Sequence, residues 1–398
     1  MIDITKTSYA QMEDEARKAG VNLPIEQTEV WARYQETIDG RMPIGAFIIR
    51  RDGEPIAFIS LMDFATHGFH FARSAHGPAY VTPPSESEET EVIAALADYV
   101  HHNFRAAKFL RCAIAHEIPQ ANVVLSTVPY DSTVVIDITG GDDAILSRMK
   151  RRGRRDVRKS LRECPATCLD ETESAMKSFA EYYDVMRETG ERDGFNPAPM
   201  SDYEDMIRIL GPEHCRVFAA RLGEKVEAWS IVTANGDTCV RYYGAMRNGA
   251  MRMHVTDKLL YSEACELGRQ GFAKYDLMGI GSDFAPSLLG LNEFKTKFTE
   301  EITHVAPERD VPLHKGYYAL LRLAKRIKGS KTEKEALKKN EAKAERNAKP
   351  QDNAKTQDNA KTQDNAKPQG KATQQANANA KPQGTADANT HGEESQTK

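Results

Sequence analysis

Between Tyr275 and Phe298 the chain reads YDLMGIGSDFAPSLLGLNEFKTKF, a short apolar strand, a turn broken by Gly279 and Gly281, and the aromatic-basic block Phe294-Lys295-Thr296-Lys297-Phe298. Glycine accepts positive φ and adds no bulk, so a strand ending in two glycines can bring its backbone against a ligand while the loop beyond presents a cation. Lys295 is the candidate cation. The competing reading is an ordinary strand-to-helix connection whose lysines are solvated.

A second concentration of charge lies between Arg148 and Arg162, RMKRRGRRDVRKSLR, where nine residues are Lys or Arg and only Asp156 is acidic. Its spacing allows a helix with Met149, Val157 and Leu161 as apolar contacts and a solvated basic face. Nine cations in fifteen residues also repel one another, and such a stretch commonly has phosphates nearby, from a nucleic acid backbone, a pyrophosphate or an anionic membrane surface. Arg151 and Arg155 are its candidate phosphate contacts. A third basic segment, Tyr317 to Lys328, alternates aromatic and leucine positions with cations at helical spacing. Its short apolar stripe favours a packing helix with a basic outer face over an interfacial one.

The net charge of −4 hides this segregation of charge. No run approaches the roughly 18 apolar residues of a membrane span. The start, MIDITKTSYAQMEDEARKAG, is polar and acidic with no apolar signal-peptide core, so a cytoplasmic location is expected. Six scattered cysteines without a C-x-x-C pair read as buried free thiols, neither a disulfide scaffold nor a zinc knuckle. From Asn347 the sequence repeats with period six, NAKPQD-NAKTQD-NAKTQD-NAKPQG, and cannot bury enough surface to offset chain entropy.

Strand and helix signals occur in one order twice. Gly45 to Leu61 holds two apolar runs around Asp52-Gly53, and Arg216 to Val232 holds two around a glycine turn. Aligning Phe47 with Phe218 sets Arg50 against Arg221, Ala57 against Ala228 and Phe58 against Trp229. Strand, helix and strand follow each hairpin: Phe69 to Ala72, Glu89 to Asn103 and Phe109 to Ile114 in the first copy. Asp237 to Met246, Thr256 to Gly268 and Lys274 to Met278 follow in the second. The expected fold is therefore α/β, a duplicated unit with a cleft between two similar domains.

That order of elements resembles the acetyltransferase-like (GNAT) fold. Its Arg/Gln-x-x-Gly-x-Gly/Ala loop, whose amides grip the pyrophosphate of coenzyme A, has no counterpart here, which points to a different acyl donor. Six segments, in order, resemble the Fem-type (FemABX) peptidoglycan aminoacyltransferases over about residues 25–312: Glu26-Gln27-Thr28-Glu29-Val30-Trp31-Ala32, Arg73-Ser74-Ala75-His76-Gly77-Pro78, Met186 to Phe195, Tyr242-Tyr243-Gly244-Ala245, Tyr275 to Ile280, and Phe294-Lys295-Thr296-Lys297-Phe298, which looks like the family's Phe-Lys-x-x-Phe segment. The span Glu171 to Leu210 leaves no room for the long helical hairpin of some members.

The resemblance implies two tandem GNAT-like domains, 1–147 with 300–328 packing back on it and 148–299; composition adds a basic helix at 329–347 and a disordered low-complexity tail at 348–398. It implies transfer of an amino acid from aminoacyl-tRNA to the side-chain amine of the stem-peptide diamino acid of a lipid-linked muropeptide precursor, with possible peripheral contact at the inner membrane face. The ester is already activated, so no cofactor, ATP or metal is expected. An acyl-CoA-dependent small-molecule N-acyltransferase is the alternative. Lys295 would then steady the developing negative charge or hold the terminal nucleotide phosphate, oriented by Phe294, itself an equally good core residue. Asp276 would orient the amine or merely cap a turn. Tyr243 would donate a hydrogen bond or fill the core. Arg192 would clamp a phosphate or carboxylate, or pair with Asp193 or Glu188. Arg73 and His76 would flank a resting place for the precursor's diphosphate, His76 being also readable as structural.

Overall fold

A computed structural model describes residues 1–125 and 128–327. The expected basic helix at 329–347 and the tail at 348–398 lie outside the described residues. Met1–Leu313 belong to one compact unit, and a second unit begins at His314.

The first unit contains two sheets. Strands β1 (Ile2–Thr7), β2 (Arg41–Arg51), β3 (Glu54–Thr66), β4 (Phe69–Arg73), β5 (Ala79–Tyr80), β6 (Ala107–Ala113) and β7 (Asn122–Val123) precede β8 (Ser132–Asp137), β9 (Thr167–Asp170), β10 (Cys215–Leu222), β11 (Lys225–Asn235), β12 (Thr238–Met246), β13 (Lys274–Gly279), β14 (Thr303–His304) and β15 (Glu308–Pro312). One sheet runs β1-β2-β3-β4-β6-β15-β7 with β5 on β3, and the other runs β9-β10-β11-β12-β13-β8-β14. β4 and β6 are parallel, as are β12 and β13, while the remaining neighbours are antiparallel.

The two sheets thus share one strand order, and the likeness reaches single residues. Ile49 lies opposite Ala57 and Ala220 opposite Ala228, and the register shifts immediately afterwards in both hairpins, at Arg50 and at Arg221. The bulged residues are Ile56 and Glu227 on the facing strands, while the arginines stay paired with Pro55 and Val226 and find carboxylates: Arg50 on Glu15 at 2.5 Å, Arg221 on Glu171 at 2.6 Å and on Glu181. Ser132–Asp137 is one departure from the boundary expected at 147, because it is a strand of the second sheet, antiparallel to β13. β15 returns from beyond the second sheet to pair with β6 of the first.

Apolar residues at helical spacing cover the sheets. The helix Val255–Arg269 buries Leu259, Leu260, Ala264 and Leu267 over Val232, Tyr275 and Leu277. Phe179, Tyr182 and Tyr203 stack around Trp229, whose indole N–H donates to the Tyr182 carbonyl at 2.7 Å. The basic run forms the helix Arg151–Glu163, buried only along Gly153, Val157 and Ser160. A Cβ at Gly153 would lie 2.1 Å from the Lys297 carbonyl oxygen, so glycine is what lets this helix approach.

The described part of the second unit is a helix over residues 315–327. Leu320, Leu323 and Ile327 share one face of it and are 51–60% exposed. No described helix is long and apolar enough to cross a membrane.

Candidate active site

β12 and β13 pair from Thr238 opposite Lys274 to Val240 opposite Asp276, and then part. Beyond that point β13 continues against β8, with Gly279 opposite Thr133. Parting strands leave backbone groups without a ladder partner, and buried groups of this kind need one. Lys295 gives one to the Gly279 carbonyl at 2.9 Å, and its side-chain nitrogen also reaches the Met278 carbonyl at 3.2 Å.

Lys295 is 4% exposed, and burial pushes it down to about 7, against the upward pull of Asp276 and with Arg241 pushing further down. It lines neither cleft described below. Within the fold it is a buried clamp on the end of β13. Phe294 is core, 3% exposed and edge-on to Phe298 at 5.0 Å. Lys297 pairs with Asp257 and, at 3.3 Å, with Asp156, joining the basic helix to Val255–Arg269. The two glycines also serve the protein itself. A Cβ at Gly279 would meet the Tyr130 ring at 2.4 Å, and one at Gly281 the Leu289 backbone at 2.2 Å.

Asp276 stands where the strands part. Its Oδ1 accepts from the Thr133 hydroxyl and, at 2.7 Å, from the Met278 amide. Burial pushes its carboxyl above the ordinary range, against those bonds and the attraction of His76 and Lys295. Asp276 lines a cleft of about 340 Å³ between the two sheets, shared with His76, Tyr130 and Glu26.

The Glu26-Gln27-Thr28 segment builds the opposite wall. Gln27 donates to Ser74 at 3.0 Å and to the Ala75 carbonyl at 2.6 Å, and accepts from the Ser60 amide at 2.7 Å. Thr28 caps the helix Glu29–Glu36 through the Trp31 amide. This lattice fixes the loop carrying His76, whose φ is +56°, so that its Nε2 lies 3.9 Å from the Glu26 carboxylate. Sequence reading named Glu26 only as part of a motif. Its burial at 6% exposure beside the cleft arises from lobe packing, which leaves no local signal.

Glu26 also lines a second cleft of about 170 Å³ with Arg41, Arg73 and Tyr243. Arg73 is held in a two-bond pair with Glu308 at 2.8 and 3.0 Å, so its charge is matched within the protein. Tyr243 meets Tyr203 and Tyr242 edge-on at 5.1 and 5.3 Å, and burial pushes its phenol up. Arg192 lines neither cleft. Its guanidinium pairs with Asp193 at 2.9 Å and donates to the Met246 carbonyl at 2.7 Å, which is the structural alternative foreseen for it. Arg151 and Arg155 stand apart from both clefts, on an arginine-lined groove along the basic helix with Arg158 and Arg162, where Arg155 pairs with Asp156 at 2.9 Å.

The segment leading from β12 into Val255–Arg269 coils as a short 3₁₀ turn, Asn248–Met253. Glu188 accepts the Asn248 amide at 2.7 Å and pairs with Arg247 at 3.1 Å, so a carboxylate of the protein occupies this backbone donor.

Residues 148–295 match the family model described as an acetyltransferase (GNAT) domain. Among solved structures the chain is similar to FemX, with 17% identity over 80% of this chain and 99% of that one and a TM-score of 0.63. It also matches the C-terminal domain of a putative lysylphosphatidylglycerol synthetase from Agrobacterium fabrum, at 15% identity over 80% and 97% of the two chains, TM-score 0.47. A tandem GNAT protein from the clavulanic acid biosynthesis pathway matches at 10% identity over 79% and 99%, TM-score 0.49. Curated protein sequences give no significant match. The strand orders, the domain match and the likeness to FemX together make this chain a tandem of two GNAT-like α/β lobes, an acyltransferase fold.

Proposed function

We propose that this protein is an acyltransferase that takes an amino acid from aminoacyl-tRNA and joins it to the side-chain amine of the stem-peptide diamino acid of a lipid-linked peptidoglycan precursor. The observation that carries the reading is the buried carboxylate of Asp276, set at the parting of β12 and β13 and open to a cleft between the lobes. The fold likeness to FemX along 80% of the chain and the six motifs support it.

In this reaction the amine nitrogen attacks the ester carbonyl, a C–N bond forms, and the C–O bond to the terminal ribose breaks. The proton lost by the amine ends on the ribose hydroxyl that leaves with the tRNA. A free lysine-like amine has a pKa of ~10.4 and is mostly protonated at neutral pH, so a nearby group must accept its proton. Asp276, its carboxyl raised by burial, is suited to orient that amine and receive the proton. Lys295 holds β13 and so positions Asp276. Tyr243 and Arg73 in the smaller cleft are assigned to the precursor, and Arg151 and Arg155 to the RNA backbone.

A coenzyme A thioester fits less well, because Glu188 already occupies the Asn248 amide in the segment entering Val255–Arg269. Peripheral contact with an anionic membrane is part of the proposal. It is supported by the exposed Leu320, Leu323 and Ile327 on a helix that also carries Lys315, Arg322, Lys325 and Arg326 and no acid.

Donor competition tests the reading. Purified protein given radiolabelled aminoacyl-tRNA and precursor should label the precursor, and excess acetyl coenzyme A should leave the rate unchanged. Labelling from acetyl coenzyme A alone would replace the proposal with its alternative.

A further inference from the structure

We infer that Glu26 is the anchor of a binding site for a primary ammonium group in the cleft between the lobes. Its side chain is 4% exposed, and among the described residues it accepts no hydrogen bond; its closest basic side chain, His76, stands 3.9 Å away, beyond hydrogen-bond reach. A buried carboxylate without donors is costly unless a partner arrives, and removing one member of a charged hydrogen-bonded pair leaves the other strongly penalised. The partner has room to arrive, because Glu26 faces both clefts.

The surroundings select a cation. Asp276 shares the larger cleft, and both of its hydrogen bonds fall on Oδ1, so its Oδ2 takes none among the described residues. On the smaller side Arg73 is already matched by Glu308, and Arg41 donates to Gln35 at 2.7 Å. Two carboxylates and one histidine therefore face the larger cleft, with Tyr130 beside them as a hydroxyl. An ammonium offers three donors and a positive charge, which suits a cleft lined by two carboxylates. An anionic ligand would meet like charge, and a neutral one would leave Glu26 unpaired.

The site deepens the proposed function and, in assigning the ammonium to a substrate, rests on it. Two sources fit the chemistry: the ε-amine of the acceptor and the α-amine of the transferred amino acid. Ligand-observed NMR with purified full-length protein separates them, using Nα-acetyl-lysine methylamide for the first and alaninamide for the second. Neutral controls are the Nε-acetylated lysine probe and N-acetyl-alaninamide. At least one amine should bind, its neutral control should bind at least ~10-fold more weakly, and Glu26→Gln should weaken the amine by a similar factor while sparing the control. The amine that responds identifies the source.

Glu26→Gln keeps the side chain's size, and an unchanged melting temperature would confirm that the variant is folded. Were that variant to unfold, Asp276→Asn serves as the second probe with the same expected loss. Equal binding of an amine by wild type and variants, or no preference of the wild type for either amine over its control, would overturn the site. No tRNA or precursor is present, so failure of the donor assay leaves this result standing, and failure here leaves the donor assay standing.

Discussion

Replacing Lys295 with Met keeps most of the side chain's volume and removes its ammonium. Two carbonyls at the end of β13, those of Gly279 and Met278, then lose the donor that reaches them at 2.9 and 3.2 Å. An orphaned buried carbonyl costs about 1–3 kcal/mol, so loss of the donor to Gly279 should destabilise the fold by about that much. The cost depends on pH. An unfolded lysine titrates near 10.4, whereas burial holds Lys295 at about 7. Between those values the unfolded chain binds a proton that the folded one does not, so this residue's contribution to stability rises with pH. It is fully present above the unfolded pKa and lost as pH falls through about 7. Urea unfolding of wild type and Lys295→Met at pH 6.5, 8 and 9.5 should show the gap widening toward alkaline pH. Aminoacyl transfer should fall about 100-fold, the effect of an ångström-scale misplacement of Asp276, while tRNA binding is retained. A variant as stable as wild type at every pH, or one with unchanged turnover, would refute the clamp.

Gly153→Ala forces a Cβ to within 2.1 Å of the Lys297 carbonyl, and differential scanning calorimetry should register a loss of about 1–3 kcal/mol or more; an unaltered melting temperature would mean the helix approaches less closely. Arg151→Gln with Arg155→Gln removes two exposed cations, so the slope of log affinity for tRNA against log salt should become shallower by roughly 1.5–2. A slope equal to wild type would remove this groove from the RNA path. Leu320→Ser, Leu323→Ser and Ile327→Ser together should abolish sedimentation with anionic liposomes and leave folding intact; co-sedimentation at the wild-type level would dismiss the helix as a membrane contact.

Features governed by short-range sequence were legible before any coordinates. Asp52-Gly53 forces a hairpin turn, and the alignment of Phe47 with Phe218 sets equivalent residues of the two hairpins against each other, while the bulges after Ile49 and Ala220 emerge only in the fold. Ser132–Asp137 was not read as a strand although STVVID is rich in β-branched residues, and its membership in the second sheet depends on pairing with a strand about 140 residues away.

Side-chain partners were harder to foresee. Arg192 is neutralised by its neighbour Asp193, which proximity in sequence suggested, but Arg73 is matched by Glu308, 235 residues away. Lys295 looked like a catalytic cation because its block is basic and aromatic. Its contacts in the fold follow from the end of β13, where strands part, a demand that exists only in three dimensions. Glu26, His76 and Asp276 meet through the packing of two lobes, and nothing in their spacing announces the cleft.

The most direct test of aminoacyl transfer is the mass of the product. Purified protein incubated with charged tRNA pools and lipid-linked precursor should yield precursor heavier by one or more aminoacyl residues, with fragmentation locating the new amide on the side-chain amine of the diamino acid. Precursor of unchanged mass, beside a coenzyme A-dependent acyl product on another amine, would contradict the account.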